Sequence, residues 1–359
     1  MSLKSTTIVQ DERRNQTRTG SAPGGQPSSP ANAPGNRALV ETISDYFRAI
    51  TESFGAAWNR FWFTPTDPLV LSTIRVLAGV IAFYTILTYT PDLELLLSPD
   101  GLLAQESVTQ LRSNFYSLSY FYLLETPGQL WAAHLAGLAV LALFTVGLFT
   151  RVTSILSLIV VLSYFHRSFV VTSEVEPILA FVMFYLCLAP AGAYLSLDRW
   201  LARRKESSEK SADDNLPRAT WTATVPTRLI QVHLTLVYVM MLLAQLNETP
   251  WWDGTAVWWL LGRRESAMSD LTWLYVHPWL VNAWTHSFVL FEGLFIVLAW
   301  NRLAAPLLVA ASVLAWGLMS VATGLAPLAA IMIVAGLSFL TPDSLRTLLG
   351  CCRLSGLLK

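Results

Sequence analysis

Long apolar runs separated by short polar segments dominate the chain from Asp67 onward. The first run, LVLSTIRVLAGVIAFYTILTY, follows Asp67 and Pro68, two residue types suited to the start of a helix, and Pro91 ends it. A membrane-spanning helix needs about 17–25 mostly apolar residues. Seven more runs reach or approach that length, so the pattern predicts eight spans, the later ones at about 129–149, 153–172, 177–196, 229–247, 282–300, 304–323 and 325–341.

A helical period also precedes the first run. Apolar residues recur every three or four positions between Leu39 and Phe61, and charged residues lie off that stripe. The pattern predicts an amphipathic helix over residues 38–63 that lies in the membrane interface. The alternative is a soluble helix packed on the rest of the protein. Residues 1–37 are rich in Gly, Pro and Ser, and we expect a disordered tail there.

Composition and charge agree with a membrane protein. The 359 residues are 53% hydrophobic and 13% charged, with a formal net charge of +0, whereas soluble domains carry about 25% charged residues. Zero net charge argues against nucleic acid as a partner. Most Lys and Arg residues fall in the N-terminal region, a linker at about 200–227 and the tail 346–359. Because cytoplasmic segments are enriched in basic residues, we expect a bacterial inner or cell membrane protein with both termini cytoplasmic and a transmembrane domain at 64–345.

Two charged residues fall inside predicted spans. Arg75 in the first span and Glu292 in the sixth would each cost about 2.5–3.5 kcal/mol at mid-membrane. Their sequence offsets place them ~12 Å and ~15 Å from the inner side at 1.5 Å per residue. The matched depths predict a buried ion pair that joins the two spans, and we favour a structural clasp over a catalytic pair.

A second polar group falls in the predicted outer half of the bundle. It comprises His166, Arg167, Gln245, Asn247 and His286, and the loop after the fifth span adds Trp252 and Asp253. Converging polar groups in a helix bundle are typical of a small-molecule site. Hydrogen bonds that only join helices are an equally weighted alternative. The sequence contains no metal-ligand pair at helical spacing, phosphate-binding glycine loop or nucleophile motif, so no metal site is predicted.

Five segments, in chain order, carry a family resemblance: LSTIRVLAGVIAFY with LLLSPDGLL, TVGLFTRVTSILSLIVVLSYFHRS, LAPAGAYLSLDRWLARR, RLIQVHLTLVYVMMLLAQLNETPWWDGTAVWW and THSFVLFEG. Together they resemble the horizontally transferred transmembrane (HTTM) domain family, which is related to the membrane domain of vitamin K-dependent gamma-glutamyl carboxylase. The resemblance covers about residues 60–345. It implies an all-α, polytopic helix bundle.

The resemblance also implies roles for two positions. The carboxylase has a lysine where this chain has Gln245, and that lysine deprotonates reduced vitamin K; a glutamine amide cannot take up the proton. The family's frequent histidine in the seventh span corresponds to Trp316. Both departures argue against carboxylase activity but leave the fold and the binding of a quinone- or lipid-like molecule intact.

Three functions therefore remain open. The first is a membrane protein without enzymatic activity that binds a small amphiphile, such as a quinone or lipid, in the outer half of the bundle. The second is a quinol-dependent carboxylase or oxygenase that uses another base, such as His166 or Glu292; the candidate catalytic residues in this case are His166, Gln245 and Glu292. The third is a transporter, although the chain shows no convincing internal repeat.

Overall fold

A computed structural model describes residues 34–99, 101–102, 119–168, 174–205, 217–262 and 270–351. Within these ranges the secondary structure is helical, apart from one isolated β-bridge between Thr66 and Thr220. The prediction of an all-α protein is therefore confirmed. The predicted tail 1–37 falls almost wholly outside the described residues.

Fourteen α-helices are described: α1 Pro34–Phe63, α2 Leu69–Leu87, α3 Leu93–Leu97, α4 Pro127–Val146, α5 Thr150–Arg167, α6 Val175–Leu188, α7 Leu197–Lys205, α8 Trp221–Leu246, α9 Thr249–Trp252, α10 Ala256–Leu261, α11 Pro278–Leu298, α12 Ala305–Thr323, α13 Ala326–Gly336 and α14 Pro342–Cys351. Short 3-10 helices cover Tyr120–Leu123, Thr272–Val276 and Leu337–Phe339. Each of the eight predicted apolar runs overlaps one of these helices, although the helices for the third, fourth and eighth runs end well before the predicted bounds of 172, 196 and 341.

Five of these helices are long and apolar enough to cross a membrane: α2, α4, α8, α11 and α12. The other three predicted spans are shorter or more polar. Helix α5 has 18 residues and ends in His166 and Arg167, α6 has 14 residues and α13 has 11. The chain thus has the composition and helices of a membrane protein, with five spans supported by length and apolarity.

Helix α2 occupies the centre of the bundle. In the most apolar stretch of α2, 72% of the residues are buried. The corresponding stretches of the other four long helices are 28–33% buried. It packs against α4, α6 and α13. Gly79 permits the close approach to α4, because a Cβ there would collide with Thr145 Oγ1. At the start of α2, Asp67 Oδ1 accepts a hydrogen bond from the Leu69 amide at 2.9 Å, as expected for a capping residue.

The helix predicted over residues 38–63 is present as α1, and it begins slightly earlier, at Pro34. Its apolar stripe is exposed: Phe47 is 62% exposed and Phe54 is 65% exposed. An exposed apolar stripe on a helix of this length is typical of an interfacial membrane helix.

Two predicted polar segments contain more helix than expected. The linker predicted at about 200–227 is shortened from both ends, by α7 up to Lys205 and by α8 from Trp221. Residue 346 was predicted to begin the C-terminal tail, but it lies inside α14, which continues as far as Cys351. Arg346 of this helix forms an ion pair with Asp67, so the segment is joined to the start of α2.

Candidate small-molecule cavity

A cavity of about 490 Å³ opens where α8 ends and the short helices α9 and α10 begin. Helices α8, α11, α12 and α13 provide most of its wall, and the lining is largely apolar with a few polar groups: Glu174, Met241, Gln245, Trp251, Leu260, Phe288, Trp316, Met319, Ser320, Thr323, Leu325, Leu328 and Ala329. Such a lining is typical of sites that bind small organic molecules.

Gln245 is the polar side chain set most deeply in this wall. It lies near the end of α8, on the same helical stripe as Tyr238 and Met241, and only 6% of it is exposed. The side chain therefore faces the interior of the bundle. The carbonyl oxygen Oε1 has no hydrogen-bond partner among the described residues. A buried acceptor without a partner is costly, so this oxygen is available to a donor in the cavity.

Glu292 lies next to Gln245. It is fully buried in α11, and neither carboxyl oxygen has a regular hydrogen bond among the described residues. The Gln245 amide is the polar group that faces this carboxyl. Helices α8 and α11 run antiparallel, and side chains lean toward the N-terminus of their own helix. The two long side chains therefore reach toward each other from helix positions at different depths.

Aromatic side chains enclose this pair. Trp316 Nε1 donates a hydrogen bond to Tyr238 Oη at 2.8 Å, and both rings are buried. The Tyr238 ring lies 4.6 Å from that of Phe295 and 6.0 Å from that of Phe291, centroid to centroid. Electrostatic interactions are stronger in such a low-dielectric setting than in water, so any polar group of a ligand near Gln245 would be strongly oriented.

The predicted ion pair between Arg75 and Glu292 is not formed among the described residues, and that prediction is wrong. Arg75 is fully buried, but its Nη2 donates to the carbonyl of Leu195, and its charge interacts with Asp198. Equal depth fixes only the position along the membrane normal. The rotation of each helix directs Arg75 toward the connection between α6 and α7, and Glu292 toward α8.

Asp198 is the acidic partner that the sequence analysis missed. Its carboxylate accepts hydrogen bonds from the amides of Phe149 and Thr150 and from the Thr150 hydroxyl, at 2.8–2.9 Å. Burial opposes ionisation, yet these hydrogen bonds and the charge of Arg75 hold the pKa of Asp198 below its usual value. The signal lay in the segment LSLDRW, an acid directly after an apolar run.

His166 and Arg167 do not join Gln245. Arg167 is fully buried, and its Nη2 donates to the carbonyl of Ser98 at 2.8 Å. Tyr122 approaches the His166 carbonyl at 3.5 Å. These contacts tie the end of α5 to the segments around α3 and the first 3-10 helix.

The remaining predicted ligand-binding residues are exposed and have local partners. Asn247 Nδ2 donates to the Leu243 carbonyl, and Trp252 Nε1 donates to the Leu246 carbonyl. Asp253 accepts hydrogen bonds from the hydroxyl and amide of Thr255, which lower its pKa. His286 is also exposed and lies outside the cavity lining. In the loop after α8 it is Trp251, not Trp252, that lines the cavity.

A separate buried network was not predicted from the sequence. His134 is fully buried: its ring contacts Tyr164 Oη at 2.6 Å and Thr90 Oγ1 at 3.0 Å. Tyr89 Oη in turn contacts Ser168 Oγ at 3.1 Å. Both histidine nitrogens are satisfied, which indicates a structural role. Within the described parts of the chain, no group of three His, Cys, Asp or Glu residues is placed to hold a metal ion.

Comparison of the chain with known protein families, with curated proteins and with solved structures found no match.

Proposed function

We propose that this chain is an integral membrane protein with an HTTM-like fold that crosses the membrane eight times and has both termini in the cytoplasm. Support comes from the helices found at all eight apolar runs and from the concentration of basic residues in alternate connections. Reporter fusions test the topology. Fusions at Ser207 and Ser355 should be cytoplasmic, and those at Gln110 and Ser269 should be outside; an outside signal at Ser207 would contradict eight spans.

The proposed function is to bind one small amphiphile, quinone- or lipid-like, in the cavity beside Gln245. The observation that carries this proposal is the cavity itself. Its volume of about 490 Å³ falls within the range of about 300–1,000 Å³ typical of small-molecule sites. The apolar lining suits a ring or acyl chain, and Gln245 Oε1 provides a fixed acceptor for a polar end.

We also propose that this protein lacks carboxylase activity. Gln245 and Trp316, the two positions at which the chain departs from the HTTM pattern, line the same cavity. This coincidence supports the HTTM-like arrangement, since the two residues are far apart in the sequence. In the proposed HTTM-like arrangement, Gln245 and Trp316 stand in place of the family's basic groups, and neither an amide nor an indole can accept a proton at physiological pH.

One observation favours a second candidate function, a quinol-dependent enzyme. Glu292 is a buried carboxyl beside Gln245 without a regular hydrogen bond. In this alternative it takes the proton of a bound quinol, with Gln245 positioned between the carboxyl and the cavity. Oxygen consumption with a reduced quinone, present in the native protein and abolished in Glu292→Gln, would favour the enzyme.

Mass spectrometry of lipids that co-purify in a mild detergent tests binding. Ser320 lines the cavity, so Ser320→Phe should fill it. Leu318 is on the same helix, is 43% exposed and does not line the cavity, so Leu318→Phe is the matched control. We expect one amphiphile at equal occupancy in the native protein and the control, and at least tenfold less in Ser320→Phe. Equal occupancy in all three proteins, or no bound amphiphile, would rule the proposal out.

A further inference from the structure

A second cavity, of about 180 Å³, lies at the other end of α8 and α11. The starts of α2 and α8, the connection between α11 and α12, and the segment before α14 form its wall. All of these segments fall on the cytoplasmic side of the proposed topology. Side chains that can donate hydrogen bonds line much of this cavity, among them Thr224, Thr227, Arg228, Arg302 and Ser338.

Two arginines face this cavity. Arg228 is held in place: its Nε donates to the Phe61 carbonyl at 3.2 Å, and its Nη1 donates to Gln231 Oε1 at 2.9 Å. Arg302 is exposed, and among the described residues it has no hydrogen bond or ion pair. The positive charge of Arg302 acts unfavourably on Arg228. Two cations kept close together without an intervening carboxylate favour the binding of an anion.

Asp67 is the only acid among the described residues that line the cavity. Its Oδ2 accepts hydrogen bonds from Arg346 and from Tyr194 Oη, and its Oδ1 accepts from the Leu69 amide. Arg346 also pairs with the exposed Asp343, and Arg199 adds a second cation that interacts with Asp67. Neither cation lines the cavity, so the charge of Asp67 is compensated from outside and the charges of Arg228 and Arg302 remain in excess there.

Ser338 provides an independent observation that supports an anion site. Its side chain lies in the cavity wall and the residue is only 2% exposed, yet Oγ has no hydrogen-bond partner among the described residues. Buried hydroxyls are normally satisfied, because an unsatisfied one costs about 1–3 kcal/mol. A phosphate oxygen in the cavity could accept from this hydroxyl and from the arginines together.

We propose that this cavity binds a phosphate group, supplied either by the headgroup of an anionic phospholipid or by free phosphate. Aromatic rings accompany the arginines: Arg228 stacks over Phe61 at 4.5 Å, and Phe61 lies 5.8 Å from Trp300, centroid to centroid. Trp and Arg together are typical of the depth at which lipid headgroups lie. The site is separate from the cavity beside Gln245 and is independent of that cavity's proposed ligand.

Native mass spectrometry of the full chain in mild detergent tests the site with three probes: phosphatidylglycerol, phosphatidylcholine and inorganic phosphate. Arg302→Gln removes the unpaired cation without disturbing a described contact. Arg151→Gln is the matched control, since Arg151 is an exposed arginine on the same proposed side and does not line the cavity. Arg302→Lys keeps the positive charge but loses the bidentate hydrogen bonding of the guanidinium.

We expect the first phosphatidylglycerol to bind the native protein and Arg151→Gln equally, and Arg302→Gln about tenfold more weakly. Arg302→Lys should be intermediate. Displacement of the lipid by millimolar inorganic phosphate would assign the site to free phosphate, and resistance to it would assign the site to the lipid. Equal binding of phosphatidylglycerol and phosphatidylcholine would overturn the proposal, as would equal loss of binding in both glutamine variants.

Discussion

The guanidinium of Arg75 fills the space in which residue 147 would carry a side chain. A Cβ built on Gly147 would collide with Arg75 Nη1 and with Ser196, and the glycine itself has φ +78°, a backbone conformation unfavourable for other residues. Gly147 is the residue at which α4 ends. A side chain there would displace the buried guanidinium of α2, so the burial of Arg75 requires glycine in the turn between α4 and α5.

Gly147→Ala should therefore destabilise the protein. Strain in the left-handed region costs about 1–2 kcal/mol, and displacement of a charged hydrogen bond adds about 1.5–3 kcal/mol. Gly293→Ala is the matched control, because a Cβ on Gly293 of α11 would meet nothing within 4 Å. Thermal unfolding in detergent should show a large loss of stability for the first variant and little change for the second. Equal melting temperatures would contradict the packing described at Gly147.

Asp198→Asn should remove a stabilising charge in a pH-dependent way. Hydrogen bonds hold the pKa of Asp198 below its unfolded value of about 3.9. Its stabilising contribution is thus complete above pH ~4 and is lost as the pH falls through the lower folded pKa. At pH 7 we expect Asp198→Asn to cost about 1–2 kcal/mol, after allowance for solvent screening. The difference in melting temperature between native and variant protein should shrink as the pH falls below ~4; a constant difference would exclude the charge as its source.

A double-mutant cycle at Arg75 and Glu292 distinguishes the structure from the clasp expected from the sequence. Since the two side chains have different partners, the effects of Arg75→Leu and Glu292→Leu on stability should add to within about 0.5 kcal/mol. A true buried ion pair would give a coupling of several kcal/mol, with the double variant more stable than either single one.

Thiol labelling tests the burial of Gln245. In a background without the native cysteines, Gln245→Cys should react at least tenfold more slowly with a membrane-impermeant reagent than Asp253→Cys, because Gln245 is 6% exposed and Asp253 is exposed. The two positions are close in the sequence, so the comparison controls for access to the membrane face. Similar rates would show Gln245 to be an exposed helix end.

The sequence predicted the helices well because burial in lipid or in a core requires long apolar runs, and such runs leave a clear signal. It also placed Gln245 among the polar groups that converge in the bundle, and the burial of this side chain agrees with that placement. It did not predict that Trp251 lines the cavity while Trp252 is exposed. Neighbouring residues on a short helix point in different directions, and the phase of a four-residue helix is set by its contacts.

Partners across the bundle were harder to predict than positions along it. Arg75 was paired with Glu292 on depth alone, whereas its contacts are with Leu195 and Asp198. Those residues lie in a connection whose path no periodic pattern specifies. The buried network of His134 is not predictable for the same reason, because its partners Thr90 and Tyr164 come from two other segments.

The central position of α2 has a consequence for how the protein is made. This helix is synthesised before its neighbours, yet the polar atoms on its buried face find their partners far downstream: Ser72 Oγ accepts from the Tyr194 amide, and Arg75 donates to the Leu195 carbonyl. Helix α13, which also packs against α2, emerges from the ribosome later still. During translation a buried charge must therefore be held by the insertion machinery or by water until more than a hundred further residues have been added. Assembly of the bundle core is a late event, because the contacts of Ser72 and Arg75 cannot form before residue 195 has been synthesised.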